Sequence, residues 1–128
     1  MSASFTKEER LHSFREIQSL LKSGETFFHY PFKVIYQNIP CDDGEKPNAV
    51  MVSVSKRHFK RAVKRNLLKR RIREVYRLNK GMLSSPEGYR TNILFIYVSK
   101  KVAEFSYLEN KLKETMQQIS LNMAKEQK

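Results

Sequence analysis

Near the start of the chain, apolar residues recur at steps of three and four. The stripe consists of Leu11, Phe14, Ile17 and Leu21. Because this spacing places them on one face of a helix, we predict a helix over residues 6–23. Thr6 and Glu9 have the spacing of a capping box at its beginning, and Gly24 is placed to end it.

Alternating and continuous apolar runs predict the strands of a sheet. Residues 27–39 are extended, and Phe27–His29 can form a short strand of its own ahead of Pro31. Residues 49–55 alternate as a further strand. The continuous apolar run within residues 92–98 is typical of a strand that is covered on both faces. One face of the first long strand carries Phe32, Val34 and Tyr36.

A second amphipathic helix is predicted over residues 106–124, near the end of the chain. Ser106 and Glu109 have capping-box spacing at its beginning. Its apolar stripe consists of Leu108, Leu112, Met116, Ile119 and Met123. This helix is therefore expected to pack one face against the sheet.

The order of these elements indicates the fold class. The polar loop at 40–48 favours an antiparallel hairpin, whereas a helix between two strands favours a parallel pair joined by a crossover. We therefore predict one α+β domain over residues 1–128, built on a small mixed sheet. The ends of the chain, at 1–5 and 124–128, are expected to be frayed.

The charge of the chain is concentrated in residues 56–80. This segment holds twelve basic residues and one acid, Glu74, which gives a net charge of +11 in a chain whose total is +12. The remainder of the chain is therefore nearly neutral. A polyanion is the favoured partner, because basic groups that neutralise phosphates release condensed counterions.

Within the basic segment, the apolar face changes side near Asn66. Before that point the shared side carries Phe59, Ala62, Val63 and Leu67. After it, the stripe lies on the side that was basic before, and consists of Leu68, Ile72, Val75 and Tyr76. We therefore predict a loop or short turn over 56–64 and a main helix from about Ala62–Asn66 to Leu78. Asn66 is a suitable N-cap for it.

A basic ridge follows the side of this helix that faces away from the apolar stripe. Lys69, Arg73 and Arg77 run at i, i+4 and i+8, with Asn66 and Arg70 beside them. Like charges at this spacing cost a few tenths of a kcal/mol per pair in an isolated helix, so folding does not account for them. Besides nucleic-acid binding, a solvated basic face and a helix for anionic membranes or calmodulin stay open. The membrane alternative is disfavoured because the core needs the apolar stripe.

RNA is favoured over DNA by elimination. The segment lacks the partner helix of a helix-turn-helix, the heptads of a zipper and the ligands of a zinc finger. Proteins that bind RNA use its backbone, its shape and its unpaired bases, which stack on aromatic side chains. Candidates for stacking are Phe27, Phe28, Tyr30, Phe32 and Tyr36. For Phe28, Tyr30 and Phe32 we favour packing in the core.

The residue pattern indicates no active site of the chain's own. Its histidines are scattered without the spacing of metal ligands: His12, His29 and His58. Three acids cluster in one loop, where a solvated turn is favoured over a magnesium site: Asp42, Asp43 and Glu45. Phosphate-loop and nucleophile-elbow motifs are absent. Glu74 is expected to pair with Arg70, Arg71 or Arg77 rather than to act as a general base.

The cysteine content and the lack of long apolar runs favour a cytoplasmic location. The single cysteine, Cys41, cannot form an internal disulfide, which suits a reducing environment. The start of the chain lacks the apolar region of a signal peptide, and no apolar run approaches the ~20 residues that span a bilayer. We therefore expect a cytoplasmic protein without a membrane partner.

The segment from Val52 to Glu74 resembles the signature of the bacterial ribonuclease P protein component. It reads S-V-S-K-R at the end of a strand, then A-V-K-R-N, K-R and I-R-E in the helix that follows. The layout of the chain over roughly residues 10–120 is also similar to that family, with an amphipathic helix first, then strands, the basic helix, a strand and a closing helix.

The resemblance implies a fold and a function. The fold is α-β-β-β-α-β-α with about four strands and a left-handed crossover by the basic helix, as in the second domain of a small-subunit ribosomal protein. The function is to join ribonuclease P RNA, one protein per RNA, and to assist removal of the 5′ leader from precursor tRNA. Hydrolysis is performed by that RNA and its Mg²⁺ ions, so neither a catalytic residue nor a metal ligand is expected in the protein.

The resemblance also implies site residues. The first set of RNA contacts consists of Arg65, Asn66, Lys69, Arg70 and Arg73. The second set consists of Lys56, Arg57, Lys60, Arg61 and Lys64. The cleft that holds the leader matches Ile17, Leu21 and Tyr36.

The chain departs from the family pattern in two places. Leu67 stands where the family usually has arginine, and Arg71 is expected to compensate in part. Ile17 and Leu21 are aliphatic where the family tends to have aromatic residues. For Tyr36, a place in the leader cleft and a place in the core are equally favoured. Two other functions stay open, a ribosomal or other structural RNA-binding protein without processing activity and a basic DNA-binding protein.

Overall fold

The computed structural model describes residues 7–41 and 47–126. The longer helices are α1 (Phe14–Ser23), α2 (Ala62–Asn79) and α3 (Phe105–Glu126). The strands are β1 (Glu25–His29), β2 (Phe32–Pro40), β3 (Ala49–Val54) and β4 (Tyr89–Tyr97). Two short 3-10 turns cover Lys7–Glu9 and Lys80–Met82. The predicted α-β-β-β-α-β-α order is therefore confirmed.

The four strands form one mixed sheet in the order β1-β2-β4-β3. β2 pairs antiparallel with both β1 and β4, while β3 pairs parallel with β4. The antiparallel hairpin predicted across residues 40–48 is therefore wrong, because β4 lies between β2 and β3. The parallel pair is joined through α2, so the predicted crossover helix is confirmed; the left-handed sense stays a prediction. Strand β4 lies between two neighbours and is buried along most of its length, as its continuous apolar run predicts.

The sheet buries two faces of unequal size. The larger core lies under α2 and α3, where Phe32, Val34 and Tyr36 meet apolar residues of both helices. The smaller core lies under α1, where Leu20 packs with Ile35 of β2 and other residues. Each fully buried large apolar side chain contributes ~1.5–3 kcal/mol, so the larger core supplies most of the hydrophobic stabilisation.

The first helix begins at Phe14, not at residue 6 as predicted. Ser13 is its N-cap, and the Ser13 hydroxyl accepts a hydrogen bond from the Glu16 backbone N–H. Leu11 lies before the helix and donates its backbone N–H to the Val50 carbonyl, which extends the sheet beyond its β3 edge. Because its backbone pairs with β3, this segment is extended and is not part of α1. The proposed capping residue Thr6 lies outside the described residues.

The predicted stripe of α1 is also partly wrong. Leu20 is fully buried and Ile17 is half-buried, whereas Phe14 and Leu21 are exposed. The stripe shifts because Leu11 is not part of the helix, so the buried face is set by Ile17 and Leu20 alone. The sheet-facing side of α1 is consequently narrow.

A glycine stands at the end of α1 because there is no room for a side chain at Gly24. Its φ of −73° is available to any residue, so the left-handed conformation typical of a glycine at a helix end is not used here. A Cβ at this position would lie 2.5 Å from the Leu20 carbonyl oxygen and 2.7 Å from Cγ2 of Ile35. The glycine therefore lets the helix end lie directly against β2.

Candidate RNA interface

Helix α2 begins at Ala62, with Arg61 as N-cap, so the prediction that Asn66 caps the helix is wrong. Asn66 is an exposed residue of the second turn. The change of face near Asn66 has a simple origin. Phe59 is buried but lies in the loop before the helix, and Val63 in the first turn is exposed. The first turn of α2 therefore projects beyond the core, and the buried stripe begins at Leu68.

The projecting turn is electrostatically unfavourable for a helix. Its first turn contains no acid, although the positive end of the helix dipole favours one. Instead, the loop and the first turn carry exposed basic side chains: Lys56, Arg57, Lys60, Arg61 and Lys64. This concentration of like charge at the wrong end of a dipole is explained by an anionic partner.

Arg65 has a structural role that the sequence did not indicate. Its guanidinium donates hydrogen bonds to the backbone carbonyl oxygens of Phe59, at 2.6 Å, and Lys60, at 2.9 Å. Phe59 packs its ring against that of Tyr97, with centroids 6.4 Å apart. Arg65 thereby fastens the basic loop to the second turn of α2, and its side chain is only partly available to a partner.

A basic residue from the start of the chain, Arg10, lies near the ridge on α2. Arg70 and Arg73 are exposed and Lys69 is half-buried. Partial burial lowers the pKa of Arg73, and the nearby positive charge of Arg10 lowers this pKa further. Arg10 lies beside the ridge because the segment before α1 runs along β3. No local sequence signal connects Arg10 with the basic helix.

A second addition comes from the loop between β4 and α3. Lys100 lines a basic hollow of about 400 Å³ together with Lys60, Arg61 and Lys64. His58 and Val102 contribute to its walls. The sequence places Lys100 outside the basic segment, and only the meeting of the two loops at the end of the sheet brings it in.

Two arginines of α2 are engaged with other groups of the protein. Arg71 donates a hydrogen bond of 2.6 Å to the carbonyl oxygen of Ala103, which ties α2 to the loop before α3. The guanidinium that was expected to compensate for Leu67 is therefore engaged within the protein. Arg77 pairs with Glu74, with Nε and Oε2 3.0 Å apart. The pairing predicted for Glu74 is thus confirmed with Arg77 as its partner.

The three residues matched to a leader cleft do not lie together. Tyr36 is 2% exposed and packs in the larger core, where its ring makes an edge contact with Phe27 at 6.2 Å. Ile17 packs on the opposite face of the sheet with the smaller core, and Leu21 is 56% exposed on the same helix. The prediction of one cleft lined by all three is wrong, because alternate residues of β2 point to opposite faces.

The other aromatic candidates for stacking divide in the same way. Phe32 is fully buried, so its predicted packing is confirmed. Phe28 and Tyr30 are largely exposed, and for these two residues the preference for packing is wrong. Phe28 lies near the end of β1, and Tyr30 lies in the turn that follows it.

Neither a metal cluster nor a membrane-spanning helix is found among the described residues. Within residues 7–41 and 47–126, no three His, Cys, Asp or Glu side chains are arranged to hold a metal ion. The acidic cluster of Asp42, Asp43 and Glu45 lies outside these ranges. None of the helices described is both long enough and apolar enough to cross a membrane. His29 Nε2 lies 2.8 Å from Oε1 of Glu114, within hydrogen-bond distance.

The fold and the surface define a small α+β protein with basic side chains concentrated on α2 and the loop before it, and comparison with known proteins gives its family. The profile of the family described as Ribonuclease P matches residues 5–120. A ribonuclease P protein component of Porphyromonas gingivalis is 35% identical over 121 residues, which cover 92% of this chain and 88% of that protein. A Thermotoga relative with the same description is 34% identical, covering 85% and 86%. The chain belongs to the ribonuclease P protein component family.

Solved structures agree with this assignment. The RNase P protein from Thermotoga maritima superposes with a TM-score of 0.67 at 25% identity, covering 86% of this chain and 96% of that one. The Staphylococcus aureus RNase P protein gives a TM-score of 0.65 at 26% identity, with coverages of 87% and 94%. The predicted family and fold class are therefore confirmed.

Proposed function

We propose that this chain is the protein subunit of a ribonuclease P that removes the 5′ leader from precursor tRNA. Family membership supports a role in processing tRNA 5′ ends with an RNA partner. The observation that carries the proposal is the concentrated basic surface, which joins the loop before α2, the exposed side of α2, Arg10 and Lys100. Such a surface suits a polyanion whose shape and backbone are recognised.

In this proposal the protein supplies electrostatics and position, and the chemistry belongs to the RNA. The catalytic RNA and its Mg²⁺ ions hydrolyse the phosphodiester and leave a 5′-phosphate on the mature tRNA. Basic side chains on α2 and its preceding loop neutralise RNA phosphates, which lowers the Mg²⁺ concentration that the complex needs. One protein binds one RNA, and the complex works in the cytoplasm.

Contact with the leader is assigned to the α1 face of the sheet. Leu21 is exposed there and Ile17 is partly accessible, whereas Tyr36 faces the other core. Aliphatic side chains contact bases less strongly than aromatic rings do, so we expect this face to contribute little to the affinity for the leader.

Reconstitution tests the proposal directly. The purified chain is mixed with a bacterial ribonuclease P RNA at a low Mg²⁺ concentration, where the RNA alone is nearly inactive, and cleavage of precursor tRNA is followed. Protein-dependent cleavage at the mature 5′ end is the expected result. Tight binding of the RNA without stimulation of cleavage would instead favour a structural RNA-binding protein.

A further inference from the structure

A cavity of about 370 Å³ lies at the end of the sheet, next to the basic hollow. We call it the tyrosine notch; its lining includes Tyr30, Tyr97, Val102, Glu104 and Tyr107. These residues come from the β1–β2 turn, the end of β4, the loop that follows and the first turn of α3. The volume falls in the ~300–1,000 Å³ range of small-ligand sites. Neither the cores nor the basic ridge account for this notch.

The notch is held open by hydrogen bonds of its own walls. The Tyr97 hydroxyl donates to the Lys101 carbonyl oxygen, and the Lys101 backbone N–H donates to the Ser99 hydroxyl at 3.1 Å. From outside the loop, Arg71 donates to the Ala103 carbonyl. The β1–β2 turn is joined to the end of β4 by the Val98 N–H, which donates to the Pro31 carbonyl at 2.9 Å. A ligand would thus meet a site that is already formed, which reduces the entropy cost of binding.

Two rings of the notch are exposed where a flat ligand could stack. Tyr30 is 53% exposed and Tyr107 is 40% exposed. The Lys111 ammonium lies over one face of the Tyr107 ring, 5.9 Å from its centroid, so a ligand would have to stack on the other face. Burial raises the pKa of the Tyr97 phenol, and Tyr30 and Tyr107 raise it further by smaller amounts. The Phe28 ring continues the aromatic surface, with its centroid 6.3 Å from that of Tyr30. Rings presented in this way bind a planar aromatic group without regard to its exact identity.

The charge around the notch selects the kind of planar ligand. Val102 lines both the tyrosine notch and the basic hollow, so the two sites share a wall. The hollow carries Lys60, Arg61, Lys64 and Lys100. Glu104 and Lys101 both line the notch, so its own charges balance, and the Glu104 carboxylate can accept a hydrogen bond from an exocyclic amine. Phosphates are therefore favoured in the hollow and a base in the notch.

We propose that the tyrosine notch holds one unpaired base of the ribonuclease P RNA, while the neighbouring phosphates lie on the basic hollow. The RNA subunit, rather than the leader, is the occupant because the hollow is continuous with the loop and first turn of α2, the surface to which the RNA subunit is assigned. This inference rests on the proposed function. It adds a base-stacking contact to a surface otherwise built for phosphates.

The test measures affinity for the RNA subunit without substrate, first with the unaltered chain and then with variants of the notch. Tyr107→Ala and Tyr30→Ala are each expected to weaken binding about tenfold, since each removes a ring on which the base stacks. Tyr107→Phe should bind normally because the ring is kept. Tyr89→Ala is the matched control, because Tyr89 is also partly exposed, at the far end of β4. Circular dichroism checks that each variant folds.

A charge variant gives a second, independent signature. Lys100→Ala should weaken binding and reduce the slope of log K against log salt by about one phosphate contact. Tyr107→Ala should leave that slope unchanged, because the tyrosine contacts a base and neutralises no phosphate. Lys125→Ala, at the other end of α3, is the control for removing a lysine.

Each other outcome overturns a stated part of the proposal. Tyr107→Ala and Tyr30→Ala could bind normally while the Lys69→Ala/Arg73→Ala double variant binds weakly. That result would refute base binding in the notch and would leave the proposed function intact. A defect seen only with leader-bearing precursor tRNA would contradict the assignment to the RNA subunit. If the unaltered chain fails to stimulate cleavage, the proposed function itself is wrong, and this is measured before any variant.

Discussion

The Arg65 guanidinium donates a hydrogen bond of 2.6 Å to the backbone carbonyl oxygen of Phe59. A second bond, to the Lys60 carbonyl, has a length of 2.9 Å. Because Phe59 is itself buried against Tyr97, one arginine joins the basic loop to both α2 and the core. The basic side chains of the loop are consequently positioned before the RNA arrives, which lowers the entropy cost of binding.

Arg65→Ala should therefore loosen the loop as well as weaken RNA binding. We expect faster hydrogen exchange of the backbone amides at residues 59–61 in the free protein, because the variant cannot make the two hydrogen bonds to the loop carbonyls. Affinity for the RNA subunit should fall further than in Arg70→Ala, which removes an exposed neighbour on the same helix. Equal exchange rates in the two variants would show that Arg65 acts only as a phosphate contact.

The ridge on α2 should bind RNA without supporting the fold. Replacing Lys69 and Arg73 together by alanine is expected to leave circular dichroism and thermal stability nearly unchanged. The slope of log K against log salt should decrease by about 0.9 for each phosphate that is no longer neutralised, and thus by about two for the pair. Lys22→Ala and Lys125→Ala, on the other two helices, serve as controls. An unchanged slope in the double variant would contradict the assignment of the ridge.

Tyr36 should behave as a core residue. Tyr36→Ala is expected to reduce the free energy of unfolding by about 3–5 kcal/mol, because it leaves a large cavity beside Phe27 and the α3 side of the core. Tyr36→Phe should cost much less, since the ring is kept. Urea denaturation gives both values. The Tyr36→Ala protein could instead be stable and lose only its preference for leader-bearing over mature tRNA. That result would show that Tyr36 belongs to the leader cleft.

Gly24 and Gly81 should respond in opposite ways to alanine. At Gly24 the added methyl would overlap the Leu20 carbonyl and Ile35, so we expect stability to fall by about 1–3 kcal/mol. At Gly81 nothing lies within 4 Å of the added methyl, and the change should be neutral or slightly stabilising through the unfolded state. Paired urea denaturation curves compare the two. Equal effects would mean that α1 can move away from β2 without cost.

The contact between His29 and Glu114 should give a pH signature. The hydrogen bond from His29, and then the charge of Lys111, hold the pKa of the Glu114 carboxyl below its usual value. Since the folded-state pKa is depressed, this stabilisation is present above the ordinary glutamate pKa of ~4.3 and disappears as pH falls through the lowered pKa. Glu114→Gln should therefore flatten the dependence of stability on pH in this acidic range.

Chemical denaturation from about pH 6 down to pH 3 would detect the difference. Glu87→Gln, on the exposed loop before β4, is a suitable control because it keeps the His29 contact intact. The effect should be small, because both partners of the pair are substantially exposed and solvent screens them. Parallel curves for all three proteins would show that the contact contributes nothing in solution.

The order of the elements, the parallel pair with its crossover helix and the location of the charge all follow from the amino-acid sequence. These features depend on local periodicity, which backbone geometry converts directly into helices and strands. The stripe of α2 from Leu68 to Tyr76 and the continuous run of β4 were predictable for this reason. The long motif from Val52 to Glu74 likewise indicated the family, because it is contiguous in the chain.

The beginning of α1, the face that Tyr36 occupies and the full membership of the basic surface depend on packing in three dimensions. The segment at Leu11 pairs with β3 rather than extending α1, and that competition involves residues about forty positions apart. Arg10 and Lys100 reach the basic surface, and Tyr30 and Tyr107 come to line one cavity, through the packing of distant segments around the sheet. No local pattern records such contacts, because they are set by how the elements pack and not by the period of any one of them.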